Sequence, residues 1–242
     1  MAIGDRNYMN RAQTATAAGI DTGLRSYMLR VYNYMSLGVA FTGAIAMLVA
    51  MNPALVQGIS SAFWLFFIGI LGIGFFAPKI MMTKSSAAAQ ACYWVYAGLW
   101  GALLGPIFYV YAQMDPMILV RAFFITAGAF AGMSLLGYTT KKDLSGMGAF
   151  LAMGTIGLLI AMLVNVFFIQ STLFELGLSV VVVLVFAGLT AYETQMIKRM
   201  YAEHDGQDVM SRKAIFGAFM LYGSFVTMFV WILNILGMMR GE

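Results

Sequence analysis

The sequence predicts an all-α polytopic membrane protein with seven transmembrane helices. Three observations carry this. Of 242 residues, 62% are apolar. Only 10% are charged, against about 25% in an ordinary soluble domain. Seven apolar runs recur along the chain, with short polar breaks between them. A globule of this composition in water would lack the polar surface to cover itself, so its exterior faces lipid. A helix rising 1.5 Å per residue needs about 20 residues to cross the hydrocarbon core. The chain therefore holds about six to eight spans and no sizeable soluble domain. That excludes a nucleic-acid binder and a secreted disulfide scaffold, and makes the lipid bilayer the obligatory partner. In such a chain a net charge of +4 reflects basic loops kept on one side, not a polyanion-binding face. The lone Cys92 cannot form an internal disulfide.

The elements follow in order. Residues 1–26 include three arginines, Arg6, Arg11 and Arg25, and no apolar core of signal-peptide length, so they read as a cytoplasmic N-terminal tail. A single transmembrane domain then occupies 27–238, with spans at 27–50, 60–78, 88–110, 117–137, 147–169, 172–197 and 213–238. Pro106 kinks the third span. Gly101–Gly105 and Gly128–Gly132 are small-xxx-small pairs that predict close helix packing in the third and fourth. The seventh span includes Tyr222, Ser224, Thr227 and Asn234, with Ser224 and Thr227 on one face. A helix so polar is not made for lipid on every side, which places it centrally among the others.

Twelve of the 14 basic residues fall on one side: Arg6, Arg11, Arg25, Arg30, Lys79, Lys84, Lys141, Lys142, Lys198, Arg199, Arg212 and Lys213. Only Arg121 and Arg240 lie apart. The positive-inside rule makes the N-terminus cytoplasmic, and seven crossings put the C-terminus outside.

No catalytic constellation is present, so the chain reads as a non-enzyme without cofactor. The one histidine, His204, sits with Glu203, Asp205 and Asp208 in a solvated loop that makes a poor metal site, and HExxH, CxxC and GxSxG are absent. The informative group is Glu193, in FAGLTAYETQMIK (186–198). A charge centred in a membrane costs about 2.5–3.5 kcal/mol or more and is rarely idle. Glu193 stands ~7.5 Å above Lys198 along the helix. It either snorkels to cytoplasmic water or faces a polar seam between helices, and the seam is the sharper reading. Arg30 and Lys79 reach a similar depth and are the candidate counter-ions.

Two stretches carry a resemblance. VRAFFITAGAFAGMSLLGYTTKKDLSGMG (120–148) and VVVVLVFAGLTAYETQMIKRMY (180–201) closely resemble signatures of the transmembrane Bax inhibitor motif (Bax inhibitor-1) family, in its bacterial branch. LRVYNYM (29–35), LVNVFF (163–168) and FMLYGSFVTMFVWILNILG (219–237) agree in order and spacing. The resemblance implies two layers of three helices enclosing the seventh, in a bacterial inner membrane. It also implies a pH-sensitive calcium leak, with calcium as an ion in transit, sensed by two carboxylates that share a proton. The sixth-helix acid corresponds to Glu193. The seventh-helix acid, usual in a pattern like L-Y-L-D-F, is replaced here by Ser224 in Leu221-Tyr222-Gly223-Ser224-Phe225. Lys79 is the nearest match to a basic residue that latches the closed state in the family.

One acid beside a hydroxyl has no coupled titration, so the resemblance carries over the fold but not the shared-proton switch. Two functions stand: an ion leak gated at Glu193 and Ser224, or a membrane-embedded modulator of a membrane protease or stress pathway. Depth counting sets a condition on the first. Measured from Lys198 and Arg212, Ser224 lies ~18 Å deep against ~7.5 Å for Glu193. The two meet only if the sixth helix extends past the membrane edge or the seventh begins below it.

Overall fold

The computed structural model describes residues 3–240, with side chains from Thr22 onward. The side chains of Arg6 and Arg11, counted above on the basic side, lie outside the described residues. The first helix, α1 (Ile3–Ala50), runs unbroken through the predicted boundary at 26–27, and its apolar part is Thr22–Ala50. A short helix, α2 (Pro53–Ser61), follows where the sequence predicts a plain connection. Its start is a local signal: Asn52 Oδ1 accepts from the backbone N–H groups of Ala54 and Leu55, and Pro53 fills the first turn, where no N–H is needed.

The remaining helices are α3 (Phe63–Thr83), α4 (Ser86–Met114), α5 (Pro116–Thr139), α6 (Ser145–Val164), α7 (Thr172–Met200) and α8 (Gln207–Met238). Asp115 caps α5 and Ser171 caps α7 through their side-chain oxygens. A π turn, Asn165–Ile169, closes the fifth span and ends at Gln170, whose φ of 50° is left-handed. The Asn165 carboxamide oxygen accepts from the Ser171 N–H and so carries the chain round this corner.

Seven helices are long and apolar enough to span a membrane: α1, α3, α4, the α6–π stretch, α5, α7 and α8. The seventh span is 32 residues, ~48 Å long, which is enough to cross completely. It begins six residues before the predicted start, because Gln207–Arg212 continue the helix out of the membrane at the basic end. Two-thirds of its apolar window (67%) is buried inside the protein, against 6–33% for the other spans. Helix α8 packs on α1, α3 and α4 from one side and on α5 and α7 from the other, while α6 packs on α7 alone. This is the central helix between two three-helix layers.

With lipid outside, apolar burial drives association little, and close packing and interhelical hydrogen bonds hold the helices together. Gly101 and Gly105 let α4 approach α1. A Cβ on Gly101 would stand 2.8 Å from both the Thr42 carbonyl oxygen and Ile45, and one on Gly105 would overlap Val49. Gly128 and Gly132 behave otherwise. Nothing lies within 4 Å of a Cβ built on either, so this pair packs against nothing within the described chain. The expectation of a packing face there is corrected: small residues permit close approach, but α5 turns this face outward. Buried hydroxyls link the rest. Tyr32 bonds Ser134 at 2.6 Å, Ser134 bonds Thr194 at 3.0 Å, and the Tyr93 phenol donates to the Tyr34 carbonyl at 2.8 Å.

At the basic end the loops are fastened to helix termini. Gln195 clasps the α5–α6 loop, donating to the Lys142 carbonyl and accepting from the Leu144 N–H. Lys198 donates to the Tyr138 carbonyl and lies over that ring. Lys213 reaches the Met200 carbonyl and Asp205, while Arg212 reaches Asp208 and the Met82 carbonyl.

Candidate functional site

Helices α7 and α8 run antiparallel, and their register can be followed contact by contact. Lys213 meets the end of α7 at Met200, Gly217 lies against Ile197, Ser224 meets Glu193, and Asn234 meets Glu175. Glu193 is seven residues, ~10 Å, inside the end of α7. Ser224 is 11 residues, ~16 Å, beyond Lys213. The remaining offset is closed by side-chain direction. Each Cα–Cβ bond tilts toward its own helix N-terminus, so Glu193 leans deeper into the bundle while Ser224 leans back toward the basic end. The Ser224 hydroxyl donates to Glu193 Oε2 at 2.7 Å. The depth condition is thus met by the early start of α8 together with this convergence.

Ser224 is almost completely enclosed, at 2% exposure, and Glu193 is partly buried. Among the described residues none donates to Glu193 Oε1. Thr190 and Thr194, its neighbours on α7, turn their hydroxyls to backbone carbonyls and to Ser134 of α5, leaving the carboxylate to α8 alone.

The predicted counter-ions stand elsewhere. Among the described residues the ion pairs are Arg199–Asp143, Arg212–Asp208, Lys213–Asp205 and Arg240–Asp115, and none includes Glu193. The Arg30 guanidinium donates to Ser211 at 3.4 Å. Ser211 precedes Ser224 by 13 residues, ~20 Å along α8, so Arg30 is held at the bundle end. Lys79 is exposed at the end of α3, where its backbone carbonyl accepts from the Thr83 hydroxyl. Pairing of Glu193 with Arg30 or Lys79 is therefore corrected: its partner is a neutral hydroxyl. The physical reason is direction. The cations sit at or reach toward the watered end, whereas the carboxylate leans away from it.

A carboxylate with a serine hydroxyl offers few oxygens where a bound calcium takes about six to eight. The pair by itself makes a poor storage site for calcium. At the loop, Asp143 is a different case. The Ser145 hydroxyl and N–H, then Arg199, hold its carboxyl down at about 2. An open apolar groove of about 430 Å³, lined by Pro106, Ile107, Val110, Tyr111, Met114, Gly237 and Met238, lies at the far end of the bundle from Glu193 and has no part in this site.

The Glu175–Asn234 bond is not predicted by the sequence reading, although a signal exists. Glu175 and Glu193 are 18 residues apart, five turns at 3.6 residues per turn, so they share one face of α7. The Gln195 clasp and the Tyr32–Ser134–Thr194 chain leave no comparable trace, since they depend on loop and helix contacts far apart in sequence.

The chain is similar along most of its length to bacterial proteins. A protein from Rickettsia prowazekii is 38% identical over 222 residues, covering 91% of this chain and 92% of its own. One from Caulobacter vibrioides is 36% identical over 230 residues, covering 90% of each. The inner membrane protein YbhL of Escherichia coli is 36% identical over 224 residues, covering 90% of this chain and 94% of its own. The family model described as Inhibitor of apoptosis-promoting Bax1 matches residues 24–241. With seven spans, a central seventh helix and full-length matches of this kind, the chain belongs to the Bax inhibitor-1 family of membrane proteins.

Proposed function

We propose that the protein is a cation leak pathway, permeable to calcium, with its gate at Glu193 and Ser224. The observation that carries this reading is the Ser224 to Glu193 hydrogen bond itself. It puts an ionisable oxygen ligand at membrane depth, on the seam of the most enclosed helix, with no cation among the described residues to neutralise it. Such a placement is costly in a bilayer and is accounted for by a path along which an ion passes. In this reading the Ser224 hydroxyl, which occupies one carboxylate oxygen, holds the gate shut.

The proposed setting is a bacterial inner membrane with the basic end cytoplasmic. Ten basic residues with described side chains gather at that end of the bundle. Single cysteines in a Cys92→Ala background test the orientation: a cysteine at position 206 should label from the cytoplasmic side and one at 55 from the other. The leak is tested by calcium flux into liposomes containing only the purified protein, at several pH values. Flux that Glu193→Gln removes supports it.

A second reading, a modulator of a membrane protease or stress pathway, has one observation in its favour. Gly128 and Gly132 on α5 and Gly154 and Gly157 on α6 face open space, a surface on which a partner's helix would find close approach. Absence of flux from the wild-type protein, with a protease recovered on α5–α6, would put this reading in place of the leak.

A further inference from the structure

We propose that Glu175 and Asn234 form a second cation station, at the opposite mouth of the α7–α8 seam, serving the same path as Glu193 and Ser224. This inference rests on the leak reading and deepens it. Among the described residues, α7 and α8 share two side-chain to side-chain hydrogen bonds, one midway along α8 and one near its C-terminal end. Each is built alike: a glutamate of α7 accepting from a neutral donor of α8. The Asn234 amide donates to Glu175 Oε1 at 2.9 Å.

The two glutamates also differ from the chain's paired acids. All four ion pairs among the described residues use aspartates, at helix ends or in loops. At the mouth itself Arg240 is taken by Asp115, which leaves Glu175 without a cation. Glu175 Oε2 and the Asn234 carboxamide oxygen are free to face an ion, and carboxylate with amide carbonyl is the ligand chemistry of hard cations. The Tyr111 ring of α4 fits over Gly237, three residues beyond Asn234, where a Cβ would stand 2.5 Å from the phenol.

The two glutamates share one face of α7 and are ~27 Å apart along its axis, while Ser224 and Asn234 are ten residues, ~15 Å, apart along α8. Between them α7 and α8 bury mostly apolar side chains. Val182 of α7 and Phe225, Met228, Phe229 and Ile232 of α8 are all buried and apolar. This stretch is the barrier that must wet or part for an ion to pass between the stations.

The test uses the full-length protein with Glu175→Gln, which keeps the shape and the bond from Asn234, and with Asn234→Leu. Terbium, read by luminescence sensitised through tyrosine and displaced by calcium, reports binding without any flux. A calcium-displaceable signal that Glu175→Gln and Tyr111→Phe each remove, and that Glu193→Gln leaves, is the expected result. In liposomes, Glu175→Gln should raise the half-saturating calcium about tenfold when calcium is supplied at the Glu175 face. If the wild type conducts nothing yet shows the Glu175-dependent terbium signal, the leak reading fails while the station stands. If Glu193→Gln removes flux but neither Glu175→Gln nor Asn234→Leu changes flux or terbium binding, the leak stands and the second station is overturned.

Discussion

The Tyr222 phenol and the Thr42 hydroxyl lie 2.7 Å apart in the enclosed centre of the protein, and Thr42 in turn donates to the Ala97 carbonyl. Two residues further along α8, on the opposite face, Ser224 bonds Glu193. The central helix is thus hydrogen-bonded to both layers within less than one turn.

The two attachments should respond differently to removal. Tyr222→Phe keeps the ring packed on Tyr93 and Tyr96 and loses only the hydroxyl, while Thr42 retains Ala97. The expected loss is about 0.6 kcal/mol, the average for an interhelical hydrogen bond in a membrane. Ser224→Ala strips Glu193 of its one partner and should cost about 1–3 kcal/mol. Thermal unfolding in detergent would rank them, and a larger loss for Tyr222→Phe would contradict this assignment.

Glu193→Gln should remove most of the pH dependence of calcium flux, since no second acid touches this carboxylate. Wild-type flux should follow a single-site titration. Ser224→Asp places two carboxyls where a hydroxyl and a carboxylate now meet at 2.7 Å, and like-charge coupling should divide the titration into two steps. An unaltered single step in Ser224→Asp, read in the same liposome assay, would break the link between the two positions in the conducting state.

The Asp143–Arg199 contact at the basic end should play no part in that titration. Its carboxyl is held at about 2, below the ordinary aspartate range, by Ser145 first and then Arg199. A depressed carboxyl contributes its stabilisation above the unfolded-state value and loses it only as pH falls toward the folded one. The contact therefore persists unchanged from pH 8 to pH 5. Asp143→Asn should leave the pH profile of flux over that window superimposable on the wild type, and a displaced midpoint would place the sensor in this loop.

Gly101 and Gly128 make a paired test of helix packing. Gly101→Ala drives a methyl against the Thr42 carbonyl and Ile45, which must shift, at a cost of about 1–3 kcal/mol. Gly128→Ala meets open space and should be neutral, or stabilising by up to about 1 kcal/mol from helix propensity. Unfolding of the purified variants measures both.

Much of the architecture is legible in the sequence because lipid imposes it. Long apolar runs with at most one charge, such as Phe63–Thr83 and Ser145–Ile169, have no other stable disposition, and the polar residues of 219–237 already mark the helix that avoids lipid. Glu193 stands out for the same reason. The missed features are those where an end is not a level plane. Arg212 and Lys213 fold back onto the Met82 and Met200 carbonyls, so depths counted from them exaggerate the gap between Ser224 and Glu193. Glu175 reads as a helix-end acid until Asn234, 59 residues on, is brought beside it. The α2 helix was signalled by Asn52-Pro53, but its nine residues fall below the length at which apolar runs are counted as spans.

The helix at the centre is also the last to be synthesised. For as long as the ribosome takes to complete the residues after Gly206, roughly 2–7 s at about 5–20 residues per second, the six earlier spans stand in the bilayer with their middle unfilled. During that interval Glu193 and the Thr42 hydroxyl lack the α8 partners that later cover them. Assembly is thereby made to wait for α8, and a chain cut short before it presents membrane-embedded polar groups to quality-control proteases. A chain ended at Gly206 should be degraded within minutes in a pulse-chase experiment, and co-expression of the 207–242 segment should prolong its life. Equal lifetimes for truncated and full-length chains would show that the two layers can close on each other without their centre.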